Sequence, residues 1–404
     1  MAVDPNTLTR HRRRLAFVVS HPIQYYAPLH RLLAARQEVA VKVFFTWHGG
    51  GAVVHDPGFG KGVAWDIPLT DGYEHEVIPN VARDPGSHHF WGLHNPDLVA
   101  RLLAWHPDAV HVTGYAYASH LQALRSLARR RIPVLFRGDS HMLDGRGGWR
   151  WWLTRAVLRR VYTWPSAFLC VGRANRAYYQ ACGVPDERLF PCPHSIAVDR
   201  FAEPHAELEA EARTWRRALG LADSTRVLLF VGKFEFKKCP MEMMDMCAIW
   251  PTGDWRLLLV GDGELGAAMR RRAAADPARF QVLPFQNQSR MPLVYRLGDV
   301  FILPSRYQET WGLAVNEALA CGRPVLVSDR VGCAADVVVP GLNGEIFRAE
   351  DWADCRAAYE RWWARPPASI AGLQASARRF DIPVTSDHLM AVFRHVTRTC
   401  ASAD

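Results

Sequence analysis

Two glutamates flank a predicted strand-to-helix junction in the last third of this 404-residue chain. The apolar run from Asp299 to Ser305 is typical of a buried strand, and the helix-period segment after it ends at Gly322. The first N–H groups of such a helix have no partners, so they attract anions. At about 1.5 Å per helical residue, Glu309 and Glu317 lie roughly 12 Å apart. This separation suits one carboxylate on a sugar and the other on a ribose, with a diphosphate between them.

The junction carries a longer pattern that resembles the E-x7-E signature of retaining family 4 glycosyltransferases, which have the GT-B fold. That signature consists of a Pro-Ser strand end, a Glu, a Gly three positions later, and a Glu-Ala-Leu-Ala-x-Gly-x-Pro-Val run. The matching residues are Pro304, Ser305, Glu309, Gly312, Glu317, Ala318, Leu319, Ala320, Gly322, Pro324 and Val325. The resemblance covers residues 226–347 well and the first half of the chain loosely. Taken singly, a glutamate is more often a solvated residue of a surface helix.

A lysine-rich loop follows the predicted strand Arg226 to Gly232. Lys233 and Lys238 flank this loop, and a lysine between a strand and a helix is a point charge for phosphate. The resemblance implies that both lysines bind the donor diphosphate, although Lys233 replaces the arginine that the family usually has. Lys237 is an alternative to Lys238, and two solvated lysines are the alternative for the loop as a whole.

Further donor-site residues follow from the resemblance. The turn Gly261 to Gly263 matches the family's Gly-x-Gly, and Phe285 matches a phenylalanine near the nucleotide base, although Asn287 replaces the usual glycine. In the signature itself, Glu309 would hold sugar hydroxyls and Glu317 the ribose. The implied donor-binding residues are Gly232, Gly261, Gly263, Phe285, Thr310, Trp311, Gly312, Leu313 and Glu317, and the implied catalytic residues are Glu309, Lys233, Lys238, Asp139 and His141.

Fewer residues support the prediction of the acceptor-binding side of the site. Arg137 to Met142 follows the predicted strand Pro133 to Phe136, where many members of the family have a His or Asp near the transferred sugar. Asp139 and His141 are therefore candidates, and Arg137 is a candidate donor to an anion. Asp139 is equally typical of an Asp-Ser turn that caps a helix.

The first predicted turn follows the strand Arg14 to Ser20 and departs from the family's usual Gly-Gly loop. It resembles a subgroup from bacterial envelope-polysaccharide clusters. His21, Gln24 and Tyr25 occupy this turn and are candidates for lining a cleft. His194 stands before the expected hinge, where the family usually has an asparagine, and this position is typical of a structural role.

The chain contains no Asp-x-Asp triplet. Sugar transferases of another common fold use such a triplet to hold a divalent metal on the diphosphate. We therefore expect no metal and no cofactor, with the nucleotide-diphosphate sugar as a co-substrate. Lysines and a helix dipole would then take the leaving-group charge, and such preorganised donors are typically worth about 10²–10³-fold each in rate.

Alternating strand and helix patterns in both halves predict an α/β fold of two Rossmann-like parallel-sheet domains that face a cleft. Residues 1–13 are a predicted disordered tail, residues 14–200 an acceptor-binding domain and residues 206–384 a donor-binding domain. The GT-B resemblance implies that a last helix, within residues 386–404, crosses back onto the first domain. Residues 46–100 are rich in Gly, Pro, His and Trp and are predicted to form long functional loops.

The net charge of +9 arises in one quarter of the chain. Residues 101–200 hold 15 Lys and Arg against 6 Asp and Glu, whereas residues 201–404 hold 25 of each. Within that quarter, Arg146 to Trp164 alternates Trp with Arg, which suits peripheral contact with an anionic membrane. The alternative is a packed connecting helix with a basic outer face. No nucleic-acid motif accompanies the charge, so no nucleic-acid partner is expected.

Three features of the sequence indicate where in the cell the protein is located. No run of about 18 apolar residues is present, which argues against a membrane-spanning helix. The apolar run after Arg12 to Arg14 is too short for a signal peptide. Nine cysteines without a metal-like C-x-x-C pair favour reduced thiols. We therefore expect a cytoplasmic protein, either free or peripheral on the inner face of the cytoplasmic membrane.

The sequence predicts a retaining glycosyltransferase that moves a sugar from a nucleotide-diphosphate sugar to a saccharide or lipid-linked saccharide acceptor, in polysaccharide or glycolipid synthesis. Two alternatives stay open: a catalytically silent saccharide-binding partner of the same fold, and a nucleotide-sugar epimerase. The presence of all the donor-site residue types argues against the silent partner, and Glu317 favours transfer over epimerisation.

Overall fold

Two parallel β-sheets, of seven and six strands, organise the chain. The computed structural model describes residues 12–48, 54–56, 61–145, 147–250 and 253–401. Residues 1–11 of the predicted tail lie outside the described residues, and so does Arg146. The predicted fold class, two Rossmann-like parallel-sheet domains, is confirmed.

A parallel sheet with helices on both faces forms the first domain. Its strands are β1 (Arg13–Val19), β2 (Val39–Phe45), β3 (Val54–Asp56), β4 (Lys61–Val63), β5 (Glu74–Val77), β6 (Ala109–Thr113), β7 (Val134–Arg137), β8 (Ala167–Cys170) and β9 (Leu189–Pro191). Its helices are α1 (Ala27–Ala35), α2 (Leu98–Ala104), α3 (Ala118–Arg129), α4 (Gly148–Val161) and α5 (Arg173–Ala181). The sheet order is β5-β2-β1-β6-β7-β8-β9, and β3 pairs with β4 in a separate antiparallel ribbon. Leu15 to Val19 of β1 are buried because helices cover both faces of the sheet.

The second domain repeats this architecture. Its strands are β10 (Arg226–Val231), β11 (Trp255–Val260), β12 (Phe280–Leu283), β13 (Val300–Leu303), β14 (Val325–Ser328) and β15 (Gly344–Phe347), in the parallel order β12-β11-β10-β13-β14-β15. The helices after the first domain are α6 (Val198–Ala202), α7 (His205–Ala218), α8 (Pro240–Ala248), α9 (Gly266–Ala275), α10 (Met291–Arg296), α11 (Leu313–Ala320), α12 (Ala334–Val337), α13 (Trp352–Trp363), α14 (Ile370–Arg378) and α15 (Ile382–Ala401). The predicted strand from Arg226 to Gly232 is present as β10, and the apolar run from Asp299 to Ser305 contains β13, which ends two residues before Ser305.

The prediction of long loops for residues 46–100 is wrong in part. This stretch contains β5, a 3₁₀ turn at Phe90–Gly92 and the beginning of α2. β5 escapes sequence analysis because it is an edge strand without a buried apolar run. Its side chains Glu74 and Glu76 form ion pairs with Lys42 of the neighbouring strand instead of packing in the core.

The sequence analysis also overlooks β9 and β15. β9 is three residues long and ends in Pro191, which makes it too short for a recognisable pattern. β15 begins with Gly344 and carries Glu345, which is 4% exposed and forms an ion pair with Arg365. A buried charge in a short strand hides the apolar pattern on which strand prediction depends.

The last helix crosses back onto the first domain, as predicted from the resemblance. α15 packs against α1 and contributes Leu389, Met390 and Phe393 to the apolar cluster that contains Leu15 and Phe17 of β1. The two ends of the chain are therefore joined in one core, and the helix is longer than predicted, beginning at residue 382.

Because α15 packs on the first domain, truncation of Phe393, which is 1% exposed, should destabilise the protein. Because truncation leaves a cavity in the core, we expect Phe393→Ala to lower the free energy of unfolding by about 3–5 kcal/mol. The measurement is urea unfolding followed by tryptophan fluorescence. Arg398→Ala, at an exposed position of the same helix, should change the value by less than about 0.5 kcal/mol. A similar small effect from both substitutions would contradict the docking of α15.

Candidate active site

The facing edges of the two sheets enclose a cavity of about 530 Å³. Loops after β1, β7 and β9 line one side, and loops after β10, β11, β12 and β13 line the other, which are the ends of parallel strands where such folds bind ligands. The predicted residues that line the cavity are His21, Gln24, Tyr25, Asp139, Gly232, Lys233, Lys238, Gly261, Phe285, Glu309, Thr310, Trp311, Gly312, Leu313 and Glu317. The predicted residues Arg137, His141 and Gly263 are not among its lining residues.

A buried ion pair lies on the second domain's wall of the cavity. Lys238 Nζ donates to Glu309 Oε2 at 2.7 Å, and the Ser305 hydroxyl donates to the same oxygen at 3.1 Å. Burial by itself raises the pKa of Glu309, but the charge of Lys238 outweighs it and holds the pKa below its ordinary value. Lys237, the alternative lysine, instead forms an ion pair with Glu235 at 3.4 Å. Glu309 is therefore ionised, and its carboxylate accepts a hydrogen bond from the Lys238 ammonium group.

The N-terminus of α11 lies beside this ion pair. Gly312 has a φ of +92°, and a Cβ there would lie 2.8 Å from Val331 Cγ1, so the turn into the helix requires glycine. Gly312, Leu313 and Ala314 line the cavity, and the first N–H groups of a helix have no helical partners. Because Glu309 lies in the loop before α11, helical rise does not set its distance from Glu317, and the predicted spacing does not apply.

Two glycine turns bring the loops after β10 and β11 together. A Cβ at Gly261 would lie 1.9 Å from the carbonyl oxygen of Gly232, so the two backbones touch where they enter the cavity. A Cβ at Gly263 would lie 2.8 Å from the Phe234 carbonyl oxygen. Gly263 thus supports the loop from behind rather than lining the cavity.

Glu317 differs from Glu309 in its surroundings. It is 2% exposed, and Tyr295 Oη donates to Glu317 Oε2 at 2.6 Å. Glu317 Oε1 has no hydrogen-bond partner among the described residues. Burial raises the pKa of Glu317 to about 7, and the hydrogen bond from Tyr295 and the charge of Arg200 only moderate the effect. Glu317 therefore titrates near neutral pH, whereas Glu309 stays ionised.

Aromatic rings from both domains meet at one end of the cavity. The rings of Phe285 and Trp65 lie 6.4 Å apart, edge to face. Asn287, which replaces the family's glycine, donates from Nδ2 to the Ala64 carbonyl oxygen at 2.6 Å. Asp66 accepts from a backbone N–H of the same loop at 3.1 Å. This departure from the family pattern ties the two domains together beside rings that offer apolar faces to a nucleobase.

Asp139 and His194 form a polar pair on the first domain's wall, with Oδ1 and Nε2 3.2 Å apart. Burial raises the pKa of Asp139, but His194 and Arg137 outweigh it and lower the pKa to about 2. Burial lowers the pKa of His194, so a neutral imidazole donates Nε2–H to the ionised carboxylate and keeps Nδ1 as an acceptor. No helix begins at Asp139 in this described segment, since α4 starts at Gly148, and the helix-cap alternative is wrong.

Two of the predicted site residues, Arg137 and His141, lie behind the first domain's wall of the cavity. Arg137 is 2% exposed; its guanidinium lies over the Tyr26 ring at 5.6 Å, and Nη1 donates to Cys192 Sγ at 3.7 Å. Arg137 is therefore not placed to bind an anion in the cleft. Its charge instead acts on the pair formed by Asp139 and His194. His141 is also buried, and its Nδ1 accepts from the Leu143 N–H at 3.2 Å. This contact stabilises the loop.

Three residues that the sequence did not assign to the site stand out among the other residues that line the cavity. His194 was expected to be structural, and the signal for another role was its replacement of the family's asparagine. Trp65 comes from the segment predicted as loops, and Tyr295 from a helix ahead of the signature strand. No local pattern marks either residue, because each reaches the cavity only through the packing of distant segments.

Among the described residues, Asp84, His88 and His89 form the one group whose ligand atoms lie close enough together to hold a metal ion. The group is on the loop between β5 and α2, and its members are not cavity-lining residues. The expectation of a metal-free reaction in the cavity stays a prediction.

Two facing Rossmann-like domains, with a last helix that returns to the first, define the GT-B class of folds. The structure of Anabaena HepE in complex with UDP matches with a TM-score of 0.70 at 17% identity, over 95% of this chain and 100% of HepE. The lipopolysaccharide outer core galactosyltransferase WaaB, in its apo form, matches with a TM-score of 0.67 at 16% identity, over 95% of this chain and 99% of WaaB. These likenesses show the fold.

The sequence relatives define the family. The family described as Glycosyl transferases group 1 matches residues 211–371. A D-inositol 3-phosphate glycosyltransferase from Rhodococcus erythropolis (strain PR4) is 32% identical over 366 residues, which are 81% of this chain and 79% of the relative. Another from Xylanimonas cellulosilytica is 30% identical over 228 residues, and the chain spans about half the length of this and similar relatives. The chain belongs to the glycosyl transferases group 1 family.

The pKa values of Glu317 and Glu309 are shifted in opposite directions, so replacing each with glutamine should change stability in opposite directions. The pKa of Glu317 is raised from an ordinary 4.5 to about 7 in the fold. The folded state therefore binds more protons than the unfolded state between these values, and stability falls as pH rises through them. Because Gln cannot ionise, we expect Glu317→Gln to gain about 1–3 kcal/mol over wild type between about pH 5 and pH 8. Urea unfolding at a series of pH values measures this gain.

Glu309→Gln is the matched control, because the pKa of Glu309 is lowered. The ionised carboxylate then contributes stability above the ordinary pKa, and that contribution disappears as pH falls through the lowered pKa. We expect Glu309→Gln to be less stable than wild type at neutral pH, with a smaller difference in acid. A pH dependence of the same sign for both variants would contradict this assignment.

Proposed function

We propose that this protein is a metal-independent, retaining glycosyltransferase that moves a sugar from a nucleotide-diphosphate sugar to a saccharide or lipid-linked saccharide. One observation carries the proposal: the Lys238–Glu309 pair, the start of α11 and Glu317 line a single cavity between the domains. Together they offer positive charge for a diphosphate and carboxylates for the hydroxyl groups of a sugar and a ribose. Retention is supported by the resemblance to the E-x7-E signature.

Lys238 would exchange its carboxylate partner for the donor diphosphate. Lys233 and the N–H groups at the start of α11 would bind the same diphosphate, and Glu309, once released, would accept hydroxyl groups of the sugar. As the diphosphate departs its negative charge increases, and donors that are already in place stabilise it without reorganisation. Such stabilisation acts on the leaving group and requires no metal ion.

The reaction would form one bond and break one bond at the anomeric carbon. The acceptor hydroxyl oxygen bonds to that carbon on the face from which the diphosphate leaves, while the bond from the carbon to the diphosphate oxygen breaks. The hydroxyl proton passes to the departing phosphate oxygen. The products are a glycoside of unchanged anomeric configuration and a nucleoside diphosphate, and the protein supplies no nucleophile.

The polar pair on the first domain would orient the acceptor. His194 Nδ1 is an acceptor for a hydroxyl proton, and Asp139 stays ionised because its pKa is about 2. His21 and Gln24 line the same side of the cavity. A saccharide held there presents its hydroxyl to the donor wall, which is the arrangement that transfer requires.

The first test is binding of a panel of nucleoside diphosphates and their sugars, with UDP tried first because HepE was solved with it. We expect chelator-insensitive binding of one nucleotide, weakened about tenfold or more by Glu317→Ala because the ribose loses its acceptor. Lys238→Ala should lower the transfer rate about 10²–10³-fold. Calorimetry measures the first effect and release of nucleoside diphosphate the second.

Arg398→Ala, on an exposed helix position far along the chain, is the control and should behave as wild type in both assays. No binding by any member of the panel would remove the transferase proposal and leave the silent saccharide-binding partner. Binding that a chelator abolishes would remove its metal-independent part.

A membrane-facing surface supports a lipid-linked acceptor. On α4, Trp149, Trp152, Leu153 and Val157 are three or four residues apart, share one face and are 69%, 67%, 47% and 62% exposed. Arg150, Arg159 and Arg160 of the same helix are also exposed, so its outer face is both apolar and basic. Between Asp144 and Asp186 the chain has seven arginines and no carboxylate, which complements an anionic lipid surface.

The location proposed is the cytoplasmic membrane's inner face. Within the part of the chain that the structure describes, no helix combines the length and the apolar character needed to cross a bilayer. Eight cysteines in the described chain are buried and are not joined by disulfide bonds, which supports a reducing compartment. Contact through α4 would then hold the first domain, and its acceptor site, at the lipid surface.

Vesicle binding tests this contact. We expect the protein to co-sediment with phosphatidylcholine vesicles that contain phosphatidylglycerol, less with phosphatidylcholine alone, and less at high salt. The double variant Trp149→Ser/Trp152→Ser should lose about tenfold or more in affinity because two anchoring rings are removed. Ile249→Ser, 80% exposed on the second domain, is the control. Equal losses in both variants would contradict contact through α4.

A further inference from the structure

A groove crosses the outer surface of the first domain, separate from the cavity between the domains. It consists of two adjoining depressions of about 450 Å³ and 510 Å³, which share Arg125, Arg129 and Trp164. Its floor is the outer stripe of α3, and its walls are the loop around Trp91 and the end of α4 at Arg160. None of the residues that line the cavity also lines this groove.

Aromatic rings and neutral polar groups lie side by side in the groove. Trp91 is 65% exposed and Phe90 is 37% exposed, and Trp164 lines the groove with them. Gln122 contributes an amide group and Thr163 a hydroxyl group. Aromatic faces pack against apolar C–H groups, whereas amides and hydroxyls exchange hydrogen bonds with other hydroxyls. Because sugar rings have C–H groups on their faces and hydroxyls around their edges, this lining suits a saccharide.

Three arginines give the groove a positive charge. Arg125 and Arg129 lie four residues apart on α3, and Arg160 of α4 lines the same depression. α3 and α4 contain no carboxylate, and none is among the described residues that line the groove. Like charges at this helical spacing repel each other and lower the stability of the helix. An acidic ligand would offset that repulsion, and guanidinium groups bind carboxylates and phosphates through paired hydrogen bonds.

The groove begins at the edge of the sheet that carries the cavity. α3 starts at Ala118 after β6, and β6 lies between β1 and β7 in the sheet. The loops after β1 and β7 line the cavity, and parallel strands end at the same edge. From this edge, the stripe of α3 from Ala118 to Arg129 extends over about 16 Å. A ligand in the form of a chain can therefore have one end in the cavity and a later segment in the groove.

We propose that this groove binds an acidic saccharide chain, whose carboxylates or phosphates pair with Arg125, Arg129 and Arg160 while its sugar rings pack on Trp91 and Trp164. The inference rests on the proposed function, because it gives the chemical class of the acceptor. The groove holds a segment of the acceptor remote from the reacting hydroxyl, so it affects acceptor affinity rather than the chemical step. The phosphate of a lipid headgroup is compact and would occupy only part of a groove of this length.

Binding of a short oligogalacturonate, measured by calorimetry, tests the proposal without a nucleotide. The matched probe is the methyl ester of the same oligomer, which keeps the sugar rings and lacks the charges. We expect wild type to bind the acid about tenfold or more tightly than the ester, and to bind the acid less tightly at high salt. Equal affinities for the acid and the ester would overturn the proposal, and so would the absence of binding to both.

Two arginine variants separate the groove from the net charge. Arg125→Ala/Arg129→Ala should weaken binding of the acid about tenfold or more, because two charge-assisted hydrogen-bonding groups are lost. Arg271→Ala/Arg398→Ala removes the same number of positive charges at exposed positions outside the groove and should bind as wild type does. All four arginines are exposed, so both variants should fold. Equal losses of affinity in the two variants would overturn the proposal.

Trp91→Ala tests the contact with the sugar rings. We expect it to weaken binding of the acid about three- to tenfold and to leave the salt dependence unchanged, because the lost packing carries no charge. If the arginine variant instead loses binding to vesicles with phosphatidylglycerol and keeps its affinity for the saccharide, the groove binds lipid headgroups and the proposal is overturned. Failure of every nucleotide to bind would remove the transferase proposal, whereas these saccharide measurements would still decide what the groove binds.

Discussion

A carboxylate inside an apolar domain needs a partner or a proton, and this constraint arranges the second domain's side of the cleft. Glu309 meets it with Lys238 and stays ionised, whereas Glu317 has the Tyr295 hydroxyl as its donor and burial raises its pKa to about 7. Neither arrangement serves stability alone, because a ligand can replace the present partner of the charged group or of the carboxylate acceptor. Lys238, Glu309 and Glu317, which the proposed donor would contact, therefore already have protein partners.

Local patterns in the sequence predicted much of the fold and of the second domain's wall. The strands around β10 and β13 are continuous apolar runs, and the signature from Glu309 to Glu317 lies within one loop and one helix, so neighbours in sequence are neighbours in space. The first domain's wall was harder to predict, because His194 and Trp65 reach the cavity through packing of remote segments. Arg137 shows the converse: its place after a strand suggested a ligand contact, yet it is buried against Tyr26.

The helix α4 shows why residue types alone did not decide between a packed and a membrane-facing helix. Trp and Arg alternate in its sequence, so its composition is compatible with a basic outer face. Only the packing reveals that Leu158 and Val161 form the narrow buried face and that Trp149 and Trp152 point outward. Exposed apolar side chains are unfavourable in water, and the proposed contact with a lipid surface would cover them.

The departures from the family pattern share one physical effect, which is to join the domains. Asn287 replaces a glycine and bonds to Ala64, His194 replaces an asparagine and lies 6.0 Å from the ring of Trp311, and Tyr25 stands where a glycine loop is usual. A glycine loop leaves space for a ligand, whereas His194 and Tyr25 occupy the cleft from the first domain and Asn287 reaches across from the second. In a two-domain protein, contacts of this kind hold the two walls of the cleft together, and a ligand that enters the cleft must take their place. Side chains that close the cleft therefore also set how strongly a ligand must bind to open it.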